Sequence, residues 1–260
     1  MDVIILCGGK GTRLSEETII KPKPMVEVGG MPILWHIMKI YSYYGFRRFI
    51  LALGYKEYEI KKYFCDHRII GSDFSLTPSL GNDINYLNNS DEKSWEIVFA
   101  NTGEETLKGG RLKKVEKYIK SQTFHITYGD GVCDINLSKL VKFHQSHGAI
   151  GTVTAVRPPS RFGELEIDKD GTVLSLEEKP QMGRGLINGG FFIFEKKLLS
   201  YLTPDKDCDF EFGPLQQIAK DGQLKAFEHK GFWQCMDNVR ERDFLNKQVS
   251  ANKAPWMVWK

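Results

Sequence analysis

The chain lacks paired cysteines. Its five, Cys7, Cys65, Cys133, Cys208 and Cys235, are scattered among 260 residues and odd in number. No CxxC pair occurs, which argues against a disulfide framework and a cysteine zinc site and favours a reducing compartment. Long hydrophobic runs are missing too. The apolar stretch from Val3 to Leu6 is too short for a signal-peptide core and has no basic residues before it. No stretch reaches membrane-spanning length, so a cytoplasmic protein is expected. A strong charge excess is also absent. With 36 basic and 33 acidic residues the net charge is only +3, which fits an anionic small molecule better than nucleic acid. Repeats and low-complexity segments are not found. The length suits one large domain with a full core.

What is present alternates. Val3 to Leu6 reads as a buried strand ending at Gly8. Residues 32 to 45 carry apolar groups at helical spacing. Phe49 to Leu53 is a second buried strand, 56 to 64 a short helix, 95 to 101 a third strand. A helix over 112 to 120 and a strand from Phe124 to Tyr128 follow, then a helix to His147. This alternation predicts a mainly parallel sheet with helices on both faces. Residues 66 to 95 are polar and read as a flexible insertion with a short hairpin. Later strands are predicted at 150–156, 164–168, 172–178 and 187–194, with helices at 209–220 and 238–250. Nucleotide binding is expected mainly in 1–130, and the second substrate mainly in 131–250. The six histidines show no ligand spacing and read as core or surface residues. Phe232, Trp256 and Trp259 read as exposed aromatics that hint at an interface.

Several constellations carry chemistry. Gly8-Gly9-Lys10-Gly11-Thr12-Arg13-Leu14 follows a buried strand. Glycines let backbone N–H groups approach a polyphosphate, and Arg13 adds a charged fork. The loop lacks both the dinucleotide fingerprint and the Gly-Lys-Ser/Thr ending of a Walker loop, which disfavours an NAD-dependent oxidoreductase. In Lys21-Pro22-Lys23-Pro24-Met25 the prolines are expected to hold the backbone extended so that both lysines project. By spacing alone this is equally a solvated basic loop. Gly129-Asp130-Gly131 lies at the carboxyl end of a strand, where ligands collect and a carboxylate suits Mg²⁺. Asp237 precedes Asn238 and Glu241, whose spacing resembles a capping box and would leave Asp237 available. Glu177-Glu178-Lys179-Pro180, Phe162-Gly163-Glu164, Ile187-Asn188-Gly189-Gly190 and Thr106 through Arg111 are each, unaided, compatible with ordinary turns or caps.

Together these motifs resemble the sugar-nucleotide pyrophosphorylases. The Ser15-Glu16-Glu17 stretch where the family usually has proline, the Lys-Pro-Lys-Pro run and the Met-Val-Glu-Val-Gly after it are similar to the cytidylyltransferase branch. The resemblance implies a Rossmann-like three-layer α/β nucleotidyltransferase fold, with added mixed strands for the sugar. It implies transfer of a cytidylyl group from CTP to glucose 1-phosphate, with Mg²⁺ and a homo-oligomer, and no nucleic acid or membrane partner. It assigns Arg13 and Lys23 to catalysis. Leu6, Cys7, Gly8, Gly9, Lys10, Gly11, Thr12, Thr106, Gly109, Gly110, Arg111 and Gly129 join them in binding nucleotide. Gly163, Glu178, Lys179 and Asn188 take the sugar phosphate, and Asp130 and Asp237 the metal. UTP or dTTP in place of CTP, or a catalytically silent nucleotide-sugar-binding homologue, are the alternatives.

Overall fold

The computed structural model of the chain describes residues 1–14, 18–70, 73–77, 83–87, 91–159, 164–177 and 185–260. Its centre is an eight-stranded sheet. In chain order the strands are β1 (Val3–Cys7), β2 (Arg48–Leu53), β3 (Glu96–Asn101), β4 (Thr123–Tyr128), β5 (Gly151–Val156), β6 (Ile187–Asn188), β7 (Phe192–Glu195) and β8 (Leu224–His229). Across the sheet they run β6-β5-β7-β4-β1-β2-β3, with β8 paired to β5. β1 is parallel to both β2 and β4, and β2 is parallel to β3. β7 runs antiparallel between β4 and β5. The first half is therefore the parallel sheet that strand–helix alternation demands, and the second half adds mixed strands. The helices are α1 (Ile33–Tyr43), α2 (Glu57–Ile70), α3 (Lys108–Lys114), α4 (Leu137–His147), α5 (Gln216–Lys220) and α6 (Val239–Ser250).

All five residues of β1 are buried. Its alternate side chains enter two separate cores. Val3, Ile5 and Cys7 pack with Ile33, Ile37 and Tyr41 of α1 and Leu245 of α6. Ile4 and Leu6 pack with Leu112 of α3, Phe210 and Ile218. A strand apolar on both faces needs a cover on each, which makes the three layers. Each such aliphatic side chain contributes roughly 1.5–3 kcal/mol on burial.

Several elements differ from the sequence expectation. The single strand over 187–194 is two, β6 and β7. Gly190 and Phe191 between them take φ of 75° and 48°, so the chain leaves the ladder and re-enters it. The helix placed at 112–120 starts at Lys108 and ends at Lys114. The helix placed at 209–220 is broken by Pro214, leaving a distorted turn over Glu211–Leu215 before α5. Within 66–95, α2 runs on to Ile70 and Phe74–Thr77 pairs with Asp83–Tyr86 as a hairpin; the other residues of that span include some outside the described ones. The aromatic tail is not exposed. Trp256 is fully buried, stacks on Phe232 at 5.3 Å, and donates its indole N–H to His36. Phe232 and Trp259 pack against the same core. The hint of an interface there is withdrawn, because the tail spends its apolar surface on its own domain.

Candidate active site

The carboxyl ends of β1 and β4 lie side by side, and the residues that follow them open into a cavity of about 550 Å³. Leu6, Cys7, Gly8, Gly9, Gly11 and Thr12 form one wall, with Lys23 and Pro24. Tyr128, Gly129 and Asp130 come from the end of β4, Asp237 from the entry to α6, and Thr106, Leu107, Lys108 and Arg111 from the start of α3.

Three residues far apart in sequence meet at one point. Lys23 Nζ lies 2.6 Å from Asp130 Oδ2 and 2.6 Å from Asp237 Oδ1. Burial by itself would lower the Lys23 pKa, but Asp130 and Asp237 outweigh it and hold the ammonium above its usual value. Local structure explains the convergence. Pro22 is extended, but Lys23–Met25 is one tight 3₁₀ turn rather than the extended segment expected, with Met25 N–H donating to Pro22 C=O. The turn sends the two lysines apart. Lys23 points inward, while Lys21 reaches Glu27 at the surface, 2.8 Å away. Asp237 is placed by the cap that the spacing anticipated. Asn238 Oδ1 accepts from Glu241 N–H, and Glu241 Oε2 accepts from Asp237 N–H at 2.6 Å. The cap needs only the backbone of Asp237, so its carboxylate faces Lys23. Two hard carboxylate oxygens on one cationic centre also match the donor set Mg²⁺ prefers.

Arg111 lines the cavity and also holds its frame together. It is buried, and its guanidinium donates to the carbonyls of Gly8, Leu53, Gly103 and Glu104 and to Thr102 Oγ1. Those oxygens follow or end β1, β2 and β3, so one side chain staples three parallel strands where they meet the cavity. Gly8 must be glycine for this reason. A Cβ there would lie 2.0 Å from Arg111 Nη1. Thr106 is similarly occupied, donating to Thr102 C=O and accepting from Lys114 Nζ. Gly109 and Gly110 do not line the cavity. A Cβ on Gly109 would meet Cys208 at 2.7 Å, and one on Gly110 would meet Asp205 C=O at 2.3 Å. Their lack of side chain admits the 205–209 segment.

The remaining expected residues divide. Asn188 is on the cavity, donating to Tyr128 Oη at 3.1 Å. Lys10 is not among the lining residues and pairs with Glu105 at the surface. Cys7 lines the cavity, but burial and the nearby Asp130 push its thiol far above the usual range, so it stays neutral. Arg13 sits in the turn Thr12–Leu14 with its side chain outside the described residues, and Gly163, Glu178 and Lys179 lie outside them altogether.

Sequence reading missed a second cluster. Tyr128 Oη donates to Glu211 Oε1 at 2.6 Å; Lys108 Nζ also contacts Glu211 and sits 5.0 Å over the Tyr128 ring. Asp209 accepts from the N–H groups of Glu211 and Phe212 and so fixes that turn. The available signal was Pro214, which forbids a regular helix through Glu211. Elsewhere, His229 lies 2.8 Å from Asp134 with the buried Cys133 thiol near, a grouping no spacing had suggested.

The family described as nucleotidyl transferase matches residues 2–239, and the chain belongs to it. Two full-length relatives within it carry related names. The chain is 45% identical over 260 residues to glucose-1-phosphate cytidylyltransferase of Salmonella typhimurium, covering all of both chains. It is 44% identical over 259 residues to a probable glucose-1-phosphate cytidylyltransferase of Bacillus subtilis, again end to end. Among solved structures it resembles HddC from Yersinia pseudotuberculosis complexed with GMP-PN. That match has TM-score 0.66 and 28% identity and covers 95% of this chain and 99% of that one.

Proposed function

We propose that the chain transfers the cytidylyl group of CTP to glucose 1-phosphate, releasing diphosphate. The observation that carries this reading is the meeting of Lys23, Asp130 and Asp237 at the glycine loop after β1, in a chain whose full-length relatives carry that name. A phosphate oxygen of glucose 1-phosphate attacks the α-phosphorus of CTP, and the bond to the β,γ-diphosphate breaks. The attacking group is already an anion, so no general base is required. The difficulty is bringing two polyanions together, and catalysis is positioning plus electrostatics.

Backbone N–H groups of Gly8, Gly9 and Gly11 receive the triphosphate, and Lys23 and Arg13 offset its charge. Asp130 and Asp237 would hold Mg²⁺, which when bound offsets charge on the phosphates. Thr106, Leu107 and Lys108 form the wall assigned to the base. Asn188, Tyr128 and Glu211 offer donors and acceptors of the kind that read sugar hydroxyls. Gly163, Glu178 and Lys179 complete the sugar-phosphate side by family resemblance. Self-association and a cytoplasmic setting belong to the same reading on resemblance and composition. Among the described residues no helix is long and apolar enough to cross a membrane.

The test is diphosphate release from CTP plus glucose 1-phosphate, with UTP and dTTP in parallel. Preference for CTP is the expected result. Equal rates with UTP would remove the base assignment, and binding of CDP-glucose without any turnover would favour the silent homologue.

A further inference from the structure

Asp130 and Asp237 hold a cation that belongs to the chain itself. The Lys23 ammonium touches one oxygen of each carboxylate at 2.6 Å. All three groups are largely shielded, with side-chain exposures of 11%, 29% and 15% for Lys23, Asp130 and Asp237. Two carboxylates brought this close repel each other unless a positive charge lies between them. Lys23 supplies that charge. Direct ligation of a divalent cation by this pair, at roughly 2.0–2.1 Å for Mg²⁺, draws on the same two carboxylates and places the ion beside the ammonium. An ammonium hydrogen-bonded to both carboxylates and an ion ligated by both cannot share that space, since each is positive.

We infer that Lys23 is a displaceable occupant of the divalent-cation position. It holds Asp130 and Asp237 together before substrate arrives and is released toward the polyphosphate when the ion enters. The inference rests on the reading of Asp130 and Asp237 as a metal pair. The geometry gives the released ammonium somewhere to go. The Lys23 stem runs beside the glycine loop, with its Cβ 3.1 Å and its Cδ 3.6 Å from where a Cβ on Gly11 would stand. Rotation about the stem torsions therefore sweeps Nζ along the same loop that receives phosphate.

Two consequences follow from the exclusion. An ion arriving alone must break two charge-assisted hydrogen bonds and strand the ammonium, so it binds weakly. An ion arriving with a triphosphate provides the ammonium with a new anionic partner, so the two ligands favour each other. Such coupling is reciprocal and is commonly 5- to 150-fold. Lys23 thereby links metal entry to nucleotide entry, apart from its action on the phosphates during transfer.

The experiment is Mn²⁺ binding to the full chain without nucleotide, followed by the electron paramagnetic resonance signal of the free ion. Lys23→Met keeps the stem and removes the charge, and should bind Mn²⁺ about fivefold tighter or more than wild type. Lys21→Met removes a neighbouring charge that pairs only with Glu27 in the described contacts, and should leave Mn²⁺ affinity within about twofold. Equal tightening by both variants would reduce the effect to general electrostatics and overturn the inference. No tightening by Lys23→Met, with Mn²⁺ binding still lost in Asp130→Asn, would overturn the inference and leave the metal pair standing. Mn²⁺ binding indifferent to both Asp130→Asn and Asp237→Asn would remove the metal pair and the inference with it. If Lys23→Met does not fold, wild type answers the question through acetic anhydride labelling read by mass spectrometry. Lys23 should gain reactivity when Mn²⁺ alone is added, and unchanged reactivity overturns the inference.

Discussion

At one end of the cavity Lys23 lies between Asp130 and Asp237; at the other Glu211 lies between Lys108 and Tyr128. Both ends pair an ammonium with carboxylate, yet they are built in opposite ways. At the first end one cation serves two anions, an arrangement that a second cation can enter. At the second, one anion is shared by an ammonium and a phenol, and Asn188 extends the hydrogen bonds outward. The first end suits charge that changes during a reaction. The second suits neutral, hydroxyl-bearing groups. Burial and the adjacent Glu211 raise the Tyr128 pKa strongly, so its hydroxyl stays a donor throughout the neutral range.

The comparison can be broken by mutation, and the largest effects are expected at the charged end. Asp130→Asn and Asp237→Asn should each lower kcat on the order of 10³-fold with the fold intact, because each removes a hard oxygen charge. Diphosphate release across a magnesium titration measures this, and full activity at ordinary magnesium would take that residue out of the site. Lys23→Ala should lower kcat/KM on the order of 10²- to 10³-fold, by a similar factor for CTP and UTP, since both carry the same triphosphate. A changed CTP/UTP ratio would mean that Lys23 also reads the base.

At the neutral end the effects should be smaller and fall on the other substrate. Glu211→Gln keeps the shape but removes the charge, and should raise KM for glucose 1-phosphate about tenfold with KM for CTP little changed. Initial rates with each substrate varied in turn decide it; a rise confined to CTP would move Glu211 to the nucleotide side. Gly110→Val should cost about 1–3 kcal/mol of stability, because the new side chain meets the Asp205 carbonyl. It should also raise KM for glucose 1-phosphate, since the displaced 205–209 segment leads directly into Glu211. Urea unfolding beside the kinetics tests this, and wild-type stability with altered base preference would restore the glycines to base reading.

The smallest expected effect on activity lies away from both ends. Burial lowers the pKa of His36 to about 4 and of His125 to about 3. Both folded values are below the unfolded one of about 6.5, so the unfolded chain binds more protons in acid. The stability from keeping these rings neutral is complete above about pH 6.5 and is lost as pH falls toward the folded values. By about pH 5 each should have cost about 2 kcal/mol. Thermal unfolding from neutral pH downward would show the decline. His125→Leu should flatten it without changing KM for either substrate, as neither histidine is among the residues that line the cavity.

How much of the site was legible depends on how each residue is placed. Gly8, Gly11, Lys23, Asp130 and Asp237 stand in short motifs at the ends of strongly patterned elements. For Asp237 even the cap that frees its carboxylate could be read from Asn238 and Glu241. Arg111 could be found but not understood. Its place beside Gly109 and Gly110 suggested a ligand, and it does line the cavity, but its hold on backbone oxygens up to 103 residues away left no local signal. Glu211 was hidden because the pattern over 209–220 resembles a helix, and only the Pro214 break turns that carboxylate inward.

Sequence alone determined the alternating elements, the three-layer arrangement and the ends of strands at which polar residues gather. Those depend on periodicity and turn chemistry, which act over a few residues. Tertiary structure alone decided that Lys23 lies between two aspartates 107 and 214 positions away, and that Gly110 packs against the Asp205 carbonyl. It also turned the aromatic tail into core. Such contacts are set by how packed layers bring distant segments together, and a side chain's partner is then the nearest group of matching charge or shape, for which local pattern carries no signal.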